Sequence, residues 1–168
     1  MENDNYLIEY ESIKHLSIKE FLQHLESVKG KNLNELKVSD LSYHNLTPIW
    51  PGEGVYLFRN NKNITYVGKV SSMSFTERIP KHFDIRHFAW FNRLLELICV
   101  MELKHKWNNA GAKKASKYAF ENLNLILINF SNRQRINRTE RLIRSCSGAL
   151  NRFKSLQENN LNKTIDNY

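Results

Sequence analysis

The chain has 168 residues and a formal net charge of +8, from 25 Lys and Arg against 17 Asp and Glu. Its hydrophobic content of 41% is enough for a substantial core, and we expect one main domain. Apolar runs are too short to cross a bilayer and the acidic N-terminus has no secretory signal, so we expect a cytoplasmic location and no membrane segment.

Residues 1–50 form an acidic segment with eight Asp and Glu against five Lys. Ser17 and Glu20 have the spacing of a capping box, which predicts a helix that ends near Gly30. For this N-terminal helical extension three roles are open: a cap over the rest of the chain, a dimerisation element that produces a homodimer, or an arm that binds a partner.

A β-hairpin is predicted next. Its strands, at Gly54–Phe58 and Ile64–Val70, are rich in β-prone residues, and Asn60–Asn63 between them has the composition of a turn. Pairing across this turn would bring the hydroxyl groups of Tyr56 and Tyr66 together on one face. A purely structural hairpin is the alternative, because tyrosine is common in strands and glycine often ends them.

A short helix is predicted after the hairpin, because Ser74 and Glu77 again have capping-box spacing. Arg78 and His82 are four residues apart, about one helical turn, and would face the same pocket. Pro80 lies between them and would kink or end the helix.

The following segment predicts a core helix. Apolar side chains recur there at helical spacing, at Phe91, Leu94, Leu95, Ile98 and Met101. Cys99 lies in this helix and Cys146 is far along the chain, so we expect free thiols, with no disulfide or zinc site. A basic patch follows, at Lys113, Lys114 and Lys117.

Residues 123–130 have the β-branched composition of a third strand. Ser131 and Gln134 have capping-box spacing and predict a helix that starts there. This helix is rich in arginine and carries Glu140 as its only carboxylate. An ordinary i,i+4 ion pair with Arg144 on the helix surface is the structural alternative for this residue.

Positive charge is concentrated in the second half of the chain. Residues 75–155 carry sixteen Lys and Arg against six Asp and Glu, a balance of +10, whereas the remainder has −2. Arg138, Arg141 and Arg144 recur at three-residue spacing, which predicts a helix face that binds nucleic-acid phosphates. A solvated basic face is the alternative. Nothing in these patterns indicates which bases would be recognised.

The order of these elements, from Gly54 to Phe153, resembles the GIY-YIG nuclease superfamily. Gly-Val-Tyr and Tyr-Val-Gly match its two triplets. The resemblance implies an active site formed by four residues of this chain, Tyr56, Tyr66, Arg78 and Glu140.

Further positions carry residues that are similar to those of the family. Lys69 follows the second triplet as in many members, and His82 stands where a tyrosine or histidine is common. Asn151 resembles the asparagine that closes the motif, although it lies one residue nearer to the glutamate. The segment at about 88–121 is longer than in compact members and is identified as a helical insertion.

The resemblance implies an α/β (α+β) fold, in which helices flank a small three-stranded mixed sheet. We assign residues 1–50 to the N-terminal extension, 51–155 to the nuclease-like domain and 156–168 to a C-terminal tail. The implied activity is Mg²⁺-dependent endonuclease cleavage of DNA.

The chemistry of such a site follows from its residue types. Glu140 offers a hard oxygen ligand for one Mg²⁺, or Mn²⁺ in its place, and Arg78 offers a planar fork for phosphate oxygens. A tyrosine has a pKa near 10, so one that accepts a proton at neutral pH needs help from a cation such as Lys69 or from metal-bound water. We expect Tyr56 to be this acceptor, and His82 to be either a proton relay or a structural residue.

Two alternative functions stay open. A non-catalytic nucleic-acid-binding module would keep the basic face without needing Tyr56 or Glu140, and an RNA-cleaving nuclease would use the same site. Among biological roles, a compact restriction-like or defence-related nuclease is the one that we favour.

Overall fold

A computed structural model describes residues 5–61, 63–152 and 161–167. Three parts of the sequence predictions lie outside these ranges: Lys62 in the expected hairpin turn, the expected domain end at residue 155, and residues 156–160 and 168 of the expected tail. The seven described strands are β1 (Leu7–Glu9), β2 (Lys31–Asn32), β3 (Tyr43–His44), β4 (Thr47–Pro48), β5 (Gly54–Asn60), β6 (Asn63–Val70) and β7 (Asn124–Asn129). The six described α-helices are α1 (Tyr10–Ile13), α2 (Ile18–Ser27), α3 (Phe75–Arg78), α4 (Arg93–Leu97), α5 (Asn109–Asn122) and α6 (Ile136–Cys146).

The fold is mixed α/β, built around a five-stranded mixed sheet with the strand order β1-β7-β5-β6. Strand β5 is antiparallel to both β6 and β7, whereas β1 is parallel to β7. β2 also pairs with β7. The hairpin and the third strand are confirmed, but the sheet has two more strands than the three expected, because the N-terminal segment contributes β1 and β2.

The N-terminal segment is therefore continuous with the sheet. Its predicted helix is confirmed as α2, and the capping box of Ser17 and Glu20 is formed. Helix α2 buries Ile18, Phe21 and Leu25 in the core on one side of the sheet. The described part of the C-terminal tail also reaches this region, since Ile165 is buried in the same core.

Strand alternation divides the core into two layers. Tyr56 and Phe58 of β5 point into the layer that contains α4 and α5, whereas Val55 and Leu57 point into the layer that contains α2 and α6. Each fully buried apolar side chain contributes about 1.5–3 kcal/mol to burial free energy, so both faces of the sheet stabilise the fold.

The predicted helical insertion contains α4, a π-helical turn at Ile98–Glu102 and α5. Gly111 lets α5 approach this turn, because a Cβ there would lie 2.7 Å from Cys99 Sγ. Helix α5 packs inward through small residues, and its basic patch of Lys113, Lys114 and Lys117 is exposed on the opposite side.

Of the capping boxes predicted before α3 and α6, only the first is formed. The capping box of Ser74 and Glu77 is formed, and Pro80 begins a separate 3₁₀ turn after α3. The capping box predicted at Ser131 is wrong, because Asn132 Oδ1 accepts the hydrogen bond from the amide of Gln134. In the described parts of the chain, none of the helices combines the length and the apolar character that a membrane crossing requires.

Candidate active site

A cleft of about 530 Å³ lies where β5, β6, α3, α4 and α6 meet. It brings together six of the residues predicted from the sequence, Tyr56, Tyr66, Lys69, Arg78, Glu140 and Arg144. Arg93, Asn151 and Arg152 complete its polar lining. The cleft therefore unites residues that are up to 96 positions apart in the chain.

Strand register places the two tyrosines side by side. Tyr56 lies opposite Gly68 and Phe58 lies opposite Tyr66, so the tyrosines are diagonal neighbours on the same face of the hairpin. The predicted convergence of Tyr56 and Tyr66 on one face is thus confirmed. Tyr56 is fully buried at the floor of the cleft, whereas Tyr66 keeps 7% of its surface exposed.

Close packing around the backbone explains why both triplets have a glycine. A Cβ on Gly68 would lie 2.2 Å from Cζ of Tyr56, because the tyrosine ring crosses the β6 backbone at that point. A Cβ on Gly54 would lie 1.9 Å from the carbonyl oxygen of Ile128 on β7. Each glycine thus permits a close approach that no other residue allows.

His82 is buried directly behind Tyr56. Its Nε2 lies 2.6 Å from the Tyr56 hydroxyl, and its Nδ1 has no hydrogen-bond partner within the described residues. Burial, together with the nearby charge of Arg78, lowers the pKa of His82 to about 3. The imidazole is consequently neutral at physiological pH and bonded to the phenol.

Burial also dominates the ionisation of the two tyrosines. Desolvation raises the pKa of Tyr56 and that of Tyr66, and in both cases the charge of Arg78 opposes the change without cancelling it. The sequence predicted a requirement for cations that lower a tyrosine pKa. In the structure, loss of hydration outweighs the cations, and both phenols are held in the neutral form.

Arg78 lies between the tyrosines and the insertion. Its guanidinium carbon stacks 4.5 Å from the ring centroid of Phe91, and its positive charge acts to lower the pKa of Tyr56. Its Nη1 is buried without a hydrogen-bond partner in the described structure. An unsatisfied buried donor is costly, so this nitrogen favours an anionic acceptor in the cleft.

Glu140 is the carboxylate of the site and is only 5% exposed. Its Oε1 accepts a hydrogen bond of 2.8 Å from Arg144 Nη1, and its Oε2 lies 3.9 Å from Lys69 Nζ. The i,i+4 pair with Arg144 is present, but it is buried in the cleft and is not a surface pair.

The donor set suits a single metal ion. Among the described residues no group of three or more His, Cys, Asp and Glu is close enough to hold a metal. Mg²⁺, however, needs only one or two carboxylates and takes its other ligands from water and substrate phosphate. Oε2 of Glu140 lies 3.9 Å from Lys69 Nζ, whereas Oε1 accepts the closer bond from Arg144, so Oε2 is the oxygen that fits this role.

Asn151 forms the wall of the cleft at the outer edge of β6. Its side-chain amide donates to the carbonyl of Val67 at 2.7 Å and accepts from the amide of Val67 at 3.1 Å. Its own carbonyl accepts from Arg144 Nε at 2.7 Å. Asn151 therefore completes the pairing of an edge strand and positions the arginine that holds Glu140.

The predicted arginine face of α6 is divided. Arg144 lies one turn after Glu140 and lines the cleft, whereas Arg138 and Arg141 are exposed and are not part of its lining. The three-residue spacing explains this, because each step turns 300° around the helix and the row drifts away from Glu140.

Arg93 was not predicted as a site residue. It begins α4 in the insertion, lines the cleft and donates to Glu96 at 2.5 Å. No local pattern singles it out, because its position depends on how the insertion folds back over the hairpin.

Comparison with known proteins gave no match: no family model, curated protein or solved structure is significantly similar to this chain.

Proposed function

We propose that this protein is a Mg²⁺-dependent endonuclease that hydrolyses phosphodiester bonds of DNA. The observation that carries the proposal is the cleft itself, because one cavity collects Tyr56, Tyr66, Arg78 and Glu140 from four different elements. These are the four residues that the resemblance to the GIY-YIG superfamily implies.

The core around the cleft supports the same proposal. Strands β6, β5 and β7 form an antiparallel three-stranded unit, with α3 and α6 supplying Arg78 and Glu140 at its side. Three strands in this element order support the resemblance to the GIY-YIG superfamily, although the implied sheet is mixed and both pairings of β5 are antiparallel.

Charge in the cleft favours a phosphodiester substrate. Of the described side chains that line it, five are cationic, namely Lys69, Arg78, Arg93, Arg144 and Arg152, against the single carboxylate of Glu140. Arg78 is the best placed to bind the scissile phosphate, because its buried Nη1 has no partner in the described structure. Preorganised cations of this kind stabilise the charge that develops in the transition state.

Positioning of the attacking water is assigned to Tyr56 and His82. A free phenolate is disfavoured in this buried site, so Tyr56 stays a neutral phenol that donates its hydrogen bond to His82 Nε2, 2.6 Å away, and turns its oxygen lone pairs toward the water. The lowered pKa of His82 keeps Nε2 unprotonated, so it holds the Tyr56 hydroxyl in this orientation without taking its proton. Tyr66 lies beside this pair and orients the water or the phosphate.

Glu140 would hold the metal ion through Oε2, while Arg144 and Lys69 keep its carboxylate in position. A bound Mg²⁺, or Mn²⁺ in its place, supplies charge neutralisation at the phosphoryl and leaving oxygens. A cytoplasmic location and a restriction-like or defence-related role remain predictions.

The test is cleavage of supercoiled plasmid by the purified protein, with Mg²⁺ or with a chelator. Glu140→Gln and Tyr56→Phe are the test variants, and Glu121→Gln and Tyr43→Phe are matched controls at exposed positions. We expect metal-dependent nicking by the wild type and both controls, and its loss in both test variants with DNA binding retained.

Other outcomes contradict the proposal in distinct ways. Binding without cleavage of plasmid, single strands and RNA would indicate a non-catalytic binding module. Cleavage of RNA alone would identify an RNA-cleaving nuclease that uses the same residues.

A further inference from the structure

Loop 84–92, which joins the 3₁₀ turn after α3 to α4, displays two large aromatic side chains to solvent. Phe88 is 72% exposed and Trp90 is 89% exposed. Burying an aromatic side chain contributes on the order of 1.5–3 kcal/mol to stability. The isolated protein lacks this contribution from the two exposed rings of the loop. Exposed apolar groups of this kind often mark binding sites.

The loop is held in place by hydrogen bonds. The buried side chain of Asn92 donates to the carbonyls of Asp84 at 3.0 Å and Arg86 at 2.7 Å. Trp107 Nε1 donates to the carbonyl of His87 at 2.9 Å. Because the loop is fixed before any ligand binds, little further ordering would be needed to use its aromatic rings.

The loop borders the cleft. Phe91 stacks under Arg78, with Lys81 Nζ also 5.2 Å from its ring centroid, and Arg93 lines the cleft two residues later. Trp90 and Arg93 are three positions apart, so their Cα atoms are at most about 11 Å from each other. A single strand that passes the loop would therefore reach the cleft within a few nucleotides of a base stacked on Trp90.

Aromatic and cationic groups alternate along this surface. Arg86 lies 6.0 Å from the ring of Phe88, and Arg78 and Lys81 flank Phe91. Aromatic rings that stack bases beside cations that bind phosphates are the pattern of single-strand nucleic-acid binding. An intact duplex cannot use such rings in the same way, because its base faces are already stacked on each other.

We propose that loop 84–92 binds unpaired bases beside the phosphate in the cleft, by stacking on Trp90 and Phe88. The preferred substrate is then DNA with a single-stranded segment next to the cut site, such as a forked end. The position of the cut rests on the proposed function, whereas the binding of unpaired bases does not depend on cleavage.

Binding is measured first, by fluorescence anisotropy in chelator, with a labelled single strand, the blunt duplex of the same sequence and a fork that combines both. We expect the wild type to bind the single strand and the fork more tightly than the duplex. Trp90→Ala should weaken binding to those two by about 5- to 150-fold for one stacked base, and should change duplex binding by less than about twofold.

One control variant, Trp50→Ala, and one second test variant, Phe88→Ala, accompany Trp90→Ala. Trp50→Ala removes a tryptophan that is 84% exposed but is neither on the loop nor in the cleft lining, and all three affinities should stay unchanged. The salt dependence of single-strand binding should be the same in Trp90→Ala as in the wild type, because stacking releases no counterions. Phe88→Ala should act in the same direction as Trp90→Ala.

Equal weakening on duplex and single strand would overturn the inference, and so would unchanged single-strand affinity in Trp90→Ala. Cleavage of the same three substrates with Mg²⁺ separates the two proposals. If the wild type cleaves none of them but the Trp90 effect is present, the nuclease proposal fails and the binding inference holds. If it cleaves all three without a Trp90 effect, only the inference fails.

Discussion

The ring of Tyr56 occupies the space that a side chain on Gly68 would need: a Cβ there would lie 2.3 Å from the tyrosine hydroxyl oxygen. The two residues are opposite each other in the β5–β6 pairing. Tyrosine in the first triplet therefore requires glycine in the second. Their close packing holds the Tyr56 hydroxyl against His82 Nε2.

Gly68→Ala should destabilise the protein by about 1–3 kcal/mol, the usual range for overpacking a filled core. The Tyr56 ring is fully buried and has no space into which to retreat. Urea denaturation measures the free energy of unfolding. Gly148→Ala is the matched control, because nothing lies within 4 Å of a Cβ at that position. Equal stability of the two variants would contradict the packing of Tyr56 over Gly68.

Protonation of His82 should make folding pH-dependent. The pKa of His82 is about 3 in the folded protein and near 6.5 in the unfolded chain. Below pH 6.5 the unfolded chain therefore binds a proton at His82 that the folded protein does not bind. This contribution to stability is complete above pH 6.5 and decreases as the pH falls toward 3. Between pH 7 and pH 5 the loss should be about 2 kcal/mol.

The measurement for His82 is the free energy of unfolding at several pH values between 5 and 7, for the wild type and His82→Gln. The variant is expected to be less stable at pH 7 but to lose about 2 kcal/mol less on acidification. The five other histidines are common to both proteins, so their contributions cancel. Parallel pH curves would show that His82 is not held neutral.

Short-range signals explain how much of the site was predictable. The turn composition and the β-prone runs predict the hairpin, but Tyr56 and Tyr66 share a face only because the pairing shifts by one residue between Phe58 and Arg59, which the composition does not show. Capping boxes at Ser17 and Ser74 also reflect local chemistry, and both are formed. Competition between neighbours explains the failure at Ser131, where the adjacent Asn132 caps the turn instead.

Long-range packing explains what was not predictable. Strands β1 and β2 have three and two residues, too few to show a period, and they form only because β7 offers backbone partners. Arg93 belongs to a segment whose placement depends on Phe91 docking under Arg78. The burial that raises the tyrosine pKa is likewise a property of the assembled core.

Asn151→Ala should destabilise the outer edge of the sheet. The substitution leaves the amide and the carbonyl of Val67 without their partners, at a cost of about 1–3 kcal/mol. Hydrogen exchange of the Val67 amide, followed by NMR, should accelerate with it. Asn122→Ala is a suitable control, because its side-chain bond to the carbonyl of Tyr118 is exposed. Unchanged exchange at Val67 would rule out this role for Asn151.

Arg93→Gln should weaken nucleic-acid binding through loss of one phosphate contact. The slope of log affinity against log salt concentration should fall by about 0.7 for a single strand and about 0.9 for a duplex. Lys117→Gln removes an exposed cation from α5 outside the cleft and should leave the slope unchanged. If both variants lower the slope equally, the general charge of the insertion is responsible and the cleft position of Arg93 has no special effect.

The pairing of β1 and β2 with β7 has a practical consequence for dividing the chain. Removal of residues 1–50 would expose one edge of Asn124–Asn129, the edge that pairs with β1 and β2, while β5 would still cover the other edge. This six-residue strand has four consecutive buried aliphatic side chains and no charge. Uncharged β-prone segments with an open edge are templates for self-association. We therefore expect a shortened protein that keeps every residue of the cleft to aggregate, because the acidic N-terminal segment covers the edge that would otherwise pair between copies of the chain.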